Sequence, residues 1–115
     1  MKLFHETRSD ENMRSILLNG FRDSDPIAPS SHFPAEDLAE FFPSGIRGAG
    51  VWLADSATAR AATGGSGHRV EVEIPDRIAE RFLVPLSPSE LAGECREFCI
   101  PAEIVNRYRV SVCSA

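Results

Sequence analysis

The chain has 115 residues, of which 43% are hydrophobic and 25% charged, and its 17 acids outnumber its 12 bases to give a formal charge of −5. That length allows one domain with one modest core and leaves no room for separate catalytic and binding domains. An acidic chain without a basic run is poorly disposed to neutralise a polyphosphate backbone, and no window approaches the ~18 apolar residues of a membrane span, so composition argues against nucleic acid or a bilayer as the primary partner.

The opening segment turns acidic and polar too soon to read as a signal peptide, which makes a cytoplasmic location the expectation. Residues 2–7 read as a strand, with Leu3, His5 and Thr7 on one face and Lys2, Phe4 and Glu6 on the other. Ser9 has the character of a helix N-cap, followed by Asp10 and Glu11 where acids suit the helix dipole. Met13, Ile16 and Leu17 then keep helical spacing up to Gly20, a suitable stop. This helix is expected to pack on a sheet.

From 24 to 50 the chain is rich in Pro, Ser and Gly, with weak helical character only over 35–42. A connection this long in a small domain suggests a functional flap. Residues 51–55 read as a short buried strand with Val51 and Leu53 inward and Trp52 pointing away; a helical turn is expected over 56–62 and a flexible Gly turn over 64–67. Residues 70–74 alternate cleanly, with Val70, Val72 and Ile74 inward, and Pro75 ends the run. A broken edge strand over 82–86 and a short helix over 88–92 follow. Strands over 95–100 and 106–112 close the chain around a bend at 101–102, with Phe98 and Ile100 core-facing and Glu97 turned to a cleft. The three cysteines are an odd number, so no disulfide scaffold is expected. On a strand Cys95 and Cys99 would lie about 13 Å apart at ~3.3 Å per residue, too far to share a metal ion, so reduced thiols and no metal are expected. His32 and His68 fall in Pro- and Gly-rich segments and read as solvated loop residues. Strands with few helices between them give an α+β class.

Three blocks carry a resemblance. FHETRSDENMRSILLNGFR (4–22) resembles the first motif of the poly(ADP-ribose) polymerase-like ADP-ribosyltransferases: a strand His, a short polar step, then a helix ending in Gly. GAGVWLADSATARAAT (48–63) is similar to their second motif, a Gly-x-Gly turn and a strand bearing an aromatic. REFCIPAEIVNRYRVSV (96–112) is similar to their closing motif, with a strand-borne Glu before the final hairpin. The blocks keep the family's order and cover about half of the chain.

The resemblance implies a small ADP-ribosyltransferase-like fold over 1–115, with two packed antiparallel or mixed sheets around an NAD cleft. It implies that NAD is the substrate, that His5 holds the adenosine-side ribose, and that Trp52 stacks on nicotinamide. Glu97 addresses the nicotinamide ribose, and Thr7 contacts the carboxamide. Glu6 stands where the family has Gly, so its backbone, not its side chain, would meet the carboxamide. Trp52 replaces the usual Tyr, and Thr63 lies near the place of a second stacking Tyr. The arginine-modifying branch, which carries an Arg in its first motif, is disfavoured, because the first motif here has His5 and Glu97 follows Glu94 by three residues instead of two.

Elementary chemistry supports the same roles. Breaking the nicotinamide–ribose bond builds oxocarbenium-like positive charge on the sugar, which a carboxylate stabilises. An aromatic face grips the cationic pyridinium, and an imidazole can hydrogen-bond a ribose hydroxyl. The expected activity is ADP-ribosyl transfer or NAD glycohydrolysis, with the acceptor open between a protein side chain, a nucleic-acid end, a small molecule and water. The alternatives are a catalytically silent NAD- or nucleotide-binding module of the same fold, an RNA 2′-phosphotransferase-like enzyme using Arg47, Arg60 and Arg69, and an interaction protein without a cleft.

Overall fold

A computed structural model describes residues 1–7, 9–25, 28, 31, 34–41, 49–56, 68–85, 90 and 93–113. Strand β1 (Lys2–Thr7) leads into helix α1 (Asp10–Asn19). Ser9 caps the helix as expected: its backbone is extended and its hydroxyl accepts from the Asn12 amide at 3.1 Å. Gly20 ends the helix at φ 85°, a left-handed conformation that a side chain would strain. Helix α2 (Ala35–Phe41) follows, then β2 (Val51–Ala54) and β3 (His68–Glu73). A one-turn helix α3 (Asp76–Ala79) runs into a 3-10 turn at Glu80–Phe82. Strand β4 (Glu97–Ile100), a one-turn helix α4 (Ala102–Val105) and β5 (Val110–Val112) complete the order.

The class is α+β. Among the described residues the strands form one five-stranded antiparallel sheet in the order β4-β2-β1-β3-β5, where two packed sheets were expected. Its two halves are not joined equally well. β1 pairs with β3 over six residues and β2 with β4 over four, whereas β1 and β2 share the single register pair Phe4 with Ala54. The sheet therefore has a seam at its centre.

One face of the sheet makes the core. Leu3, Val51, Leu53, Val70, Val72, Phe98 and Ile100 are buried there, and Met13 and Ile16 of α1 pack against them. The alternation read from the sequence is thus met in β2, β3 and β4. Leu17 and Leu18 are exposed, the latter 84%, so the apolar stripe of α1 is narrower than its spacing suggested. On the other face Phe4 packs with Ala54 and Cys95.

Several boundaries differ from the sequence expectation. β3 begins at His68, which pairs with Thr7 and is not a loop residue. In place of a strand over 82–86, Leu83 makes one isolated bridge to Phe98. The expected strand over 106–112 shrinks to its last three residues, because Pro101 starts a helical turn: its carbonyl accepts from the Ile104 and Val105 amides, while the Ala102 amide goes to Asp23 at 2.7 Å. All but Ser56 of the expected turn over 56–62, the Gly turn over 64–67 and most of the expected helix over 88–92 lie outside the described residues. No helix among the described residues is long and apolar enough to cross a membrane.

Candidate functional site

The seam opens into a cleft of about 610 Å³, within the ~300–1,000 Å³ range of small-molecule sites. Its walls are the end of β1 (His5, Glu6, Thr7), the start of β2 (Gly50, Val51, Trp52), one side of α1 and the segment 20–24. That segment is the part of the site the sequence did not announce. Phe21 is pinned by Asn106, whose side-chain oxygen accepts from the Phe21 amide at 2.8 Å and whose nitrogen donates to the Phe21 carbonyl at 3.0 Å. Ser24 is tied to Gly50: its amide and hydroxyl donate to the Gly50 carbonyl at 3.0 and 2.9 Å. Gly50 suits this place because a Cβ there would come within 3.0 Å of the Cys99 sulfur and the Ile100 carbonyl.

His5 sits across the seam. Its Nδ1 lies 2.7 Å from the Trp52 carbonyl, and the Phe21 ring meets it edge-on at 5.4 Å between centroids. A carbonyl can only accept, so Nδ1 carries the proton and Nε2 is left with a lone pair. Burial lowers the His5 pKa, and the bond to Trp52 and the nearby charge of Glu6 only partly offset this. His5 is therefore a neutral imidazole of defined tautomer with one accepting nitrogen.

Thr7 is buried, and its hydroxyl donates to the Ser9 carbonyl at 2.9 Å, with the His68 carbonyl farther off at 3.4 Å. Its proton is thus committed to the backbone. Glu6 is half-buried on the opposite face of β1, across from Arg69 in register. Arg22 is exposed and supplies the one Lys or Arg among the described residues that line the cleft.

Trp52 is half-buried and lies outside the core, as expected. It borders the His5 cleft and also a second, small recess of about 40 Å³ that it shares with Leu53, Ala54 and Glu97. Register explains the arrangement. Trp52 pairs with Cys99 and Ala54 with Glu97, which makes Trp52 and Glu97 diagonal neighbours on one face, a relation that spans ~7–8 Å. His5 belongs to the other face, with Leu3. The three residues therefore do not line one cavity: His5 and Trp52 share the cleft, Trp52 and Glu97 share the recess, and Trp52 is the residue common to both. Thr63 lies outside the described residues.

Asp55 links two strands. Its two carboxylate oxygens accept from the Arg96 amide and Nε, each at 2.9 Å, tying the end of β2 to the start of β4. Cys95 and Cys99 are buried. Desolvation, with the charge of Asp23 adding to it, pushes the Cys99 thiol up to about 12, so it stays protonated at neutral pH. Among the described residues no group of His, Cys, Asp and Glu is arranged to hold a metal ion. Comparison with protein-family models, with curated proteins and with solved structures finds no match.

Proposed function

We propose that this chain has the ADP-ribosyltransferase type of scaffold, binds NAD across the seam of its sheet and cleaves the bond between nicotinamide and ribose, passing ADP-ribose to an acceptor or to water. One observation carries the proposal: the neutral His5 imidazole is locked to the backbone carbonyl of Trp52 in the wall of a cleft, and Trp52 also borders the recess that Glu97 lines. The Trp52 indole stacks on the flat, cationic nicotinamide. Nε2 of His5 accepts a hydrogen bond from a hydroxyl of the far ribose. Arg22 offers a guanidinium to the pyrophosphate, a pairing favoured by charge and geometry. Glu97, beside the indole, faces the nicotinamide ribose and stabilises the positive charge that grows there as nicotinamide leaves.

A second reading is a silent NAD- or nucleotide-binding module. It is favoured by the position of Glu97, which lines the small recess and not the cleft that holds His5. The two readings separate in an assay of nicotinamide release from NAD by purified protein, with and without cell extract as a source of acceptor. The enzyme reading expects release by the wild type and a ~10²–10³-fold loss of turnover in Glu97→Gln with little change in NAD affinity. Equal activity in Glu97→Gln moves the chemistry elsewhere. NAD binding without release in either setting selects the silent module.

A further inference from the structure

Asp55 follows the last residue of β2 and Arg96 precedes the first residue of β4, so they meet one step beyond the last strand pair, Ala54 with Glu97. The Asp55 amide donates to the Arg96 carbonyl at 3.2 Å. The return bond of an antiparallel ladder would run from the Arg96 amide to a backbone carbonyl. Here it runs to the Asp55 carboxylate, whose second oxygen also takes Arg96 Nε. Both contacts are charge-assisted, hence shorter and stronger than neutral ones, and the Asp55 side chain is only 23% exposed. The Arg96 guanidinium lies over the Phe98 ring, 5.5 Å from its centroid. On the outer edge the Glu97 carbonyl accepts from the Val84 amide at 2.9 Å.

We infer that Asp55 is a positioning residue for Glu97. The first residue of an edge strand frays easily, because nothing before it continues the ladder. The Asp55 clamp closes the ladder one residue upstream, so Glu97 is held between the clamp, its pairing with Ala54 and the Val84 amide. This fixes the backbone from which the Glu97 carboxylate projects beside Trp52. The inference rests on the role proposed for Glu97 above.

The test combines hydrogen exchange with a double-mutant cycle on Asp55→Ala, Asp55→Asn, Glu97→Gln and the pair Asp55→Ala with Glu97→Gln. In Asp55→Ala, amide exchange over 96–98 should rise roughly tenfold or more, while the β1–β3 amides and the cooperative melt are retained. Nicotinamide release should fall ~10- to 100-fold in kcat, the loss expected of a catalytic group displaced by about 1 Å, with KM for NAD little changed. Asp55→Asn keeps an acceptor for the Arg96 amide and should fall in between. On the Glu97→Gln background Asp55→Ala should cost nothing further, because both changes act through one carboxylate. Unchanged exchange over 96–98, loosening spread evenly over all strands, or the same proportional loss on the Glu97→Gln background would each overturn the inference. A wild type that releases no nicotinamide overturns the functional reading instead, and the exchange data still decide whether Asp55 fixes this strand.

Discussion

Asn106→Ala removes the contact that holds the cleft wall from the far end of the chain. The asparagine amide mimics a strand neighbour: it takes the Phe21 N–H and gives to the Phe21 carbonyl, 85 positions away in sequence. Two neutral hydrogen bonds are worth ~1 kcal/mol each, and Asn106 itself is exposed, so the combined loss is about 1–2 kcal/mol. For a domain of this size, ~4 °C in Tm accompanies each kcal/mol, which gives a fall of about 4–8 °C. The Phe21 ring then loses its fixed edge-on contact with His5, so NAD affinity should weaken along with stability. Asn106→Asp keeps the acceptor for the Phe21 amide and loses the donor, and should lie between. Thermal melts followed by circular dichroism, with NAD titrations on the same samples, make the measurement. A Tm within about 1 °C of wild type, less than the ~4 °C of a single lost bond, would refute the view that Asn106 anchors this wall.

Acid should weaken the fold through His5. Its folded pKa lies below the ordinary histidine value of 6.5, so the unfolded chain binds the proton first; the stability it contributes is complete above pH 6.5 and is lost as pH falls through the folded value. Denaturant titrations between pH 8 and 5 should show this slope in the wild type and a flatter one in His5→Gln; parallel slopes would remove His5 as the cause. Trp52→Ala should weaken NAD binding more than Trp52→Phe, since an aromatic stack is worth about 0.5–1.5 kcal/mol beyond the area it covers, or ~2- to 10-fold in Kd. Trp52 is the only Trp, so its emission should change on titration with NAD or nicotinamide; unchanged emission at millimolar ligand would count against stacking.

Local chemistry was legible in the sequence where one element decides it. Ser9 and Gly20 bound α1 because capping depends on a few adjacent residues. The buried parity of Val51 and Leu53, of Val70 and Val72, and of Phe98 and Ile100 follows from strand alternation alone. Alternation within a strand cannot say which face of one strand continues which face of the next. That depends on register, which is why His5 and Glu97, both read as cleft-facing, belong to opposite faces of the sheet. The seam was illegible for the same reason, since it comes from pairing that stops after Phe4 and Ala54. Nothing next to Asp55 in the sequence marks its bonds to Arg96, 41 positions away. The Asn106 clamp left no local mark at all. Helix α4 was missed because one helical turn over 102–105 is too short to show a period.

The most direct measurement is a crystal structure of the protein with NAD, or with nicotinamide soaked to saturation. The NAD-cleft assignment predicts nicotinamide against the Trp52 indole, a far-ribose hydroxyl at Nε2 of His5 and the Glu97 carboxylate turned to the nicotinamide ribose. NAD seated on another surface, or a cleft between β1 and β2 that stays empty at saturating NAD, would contradict it.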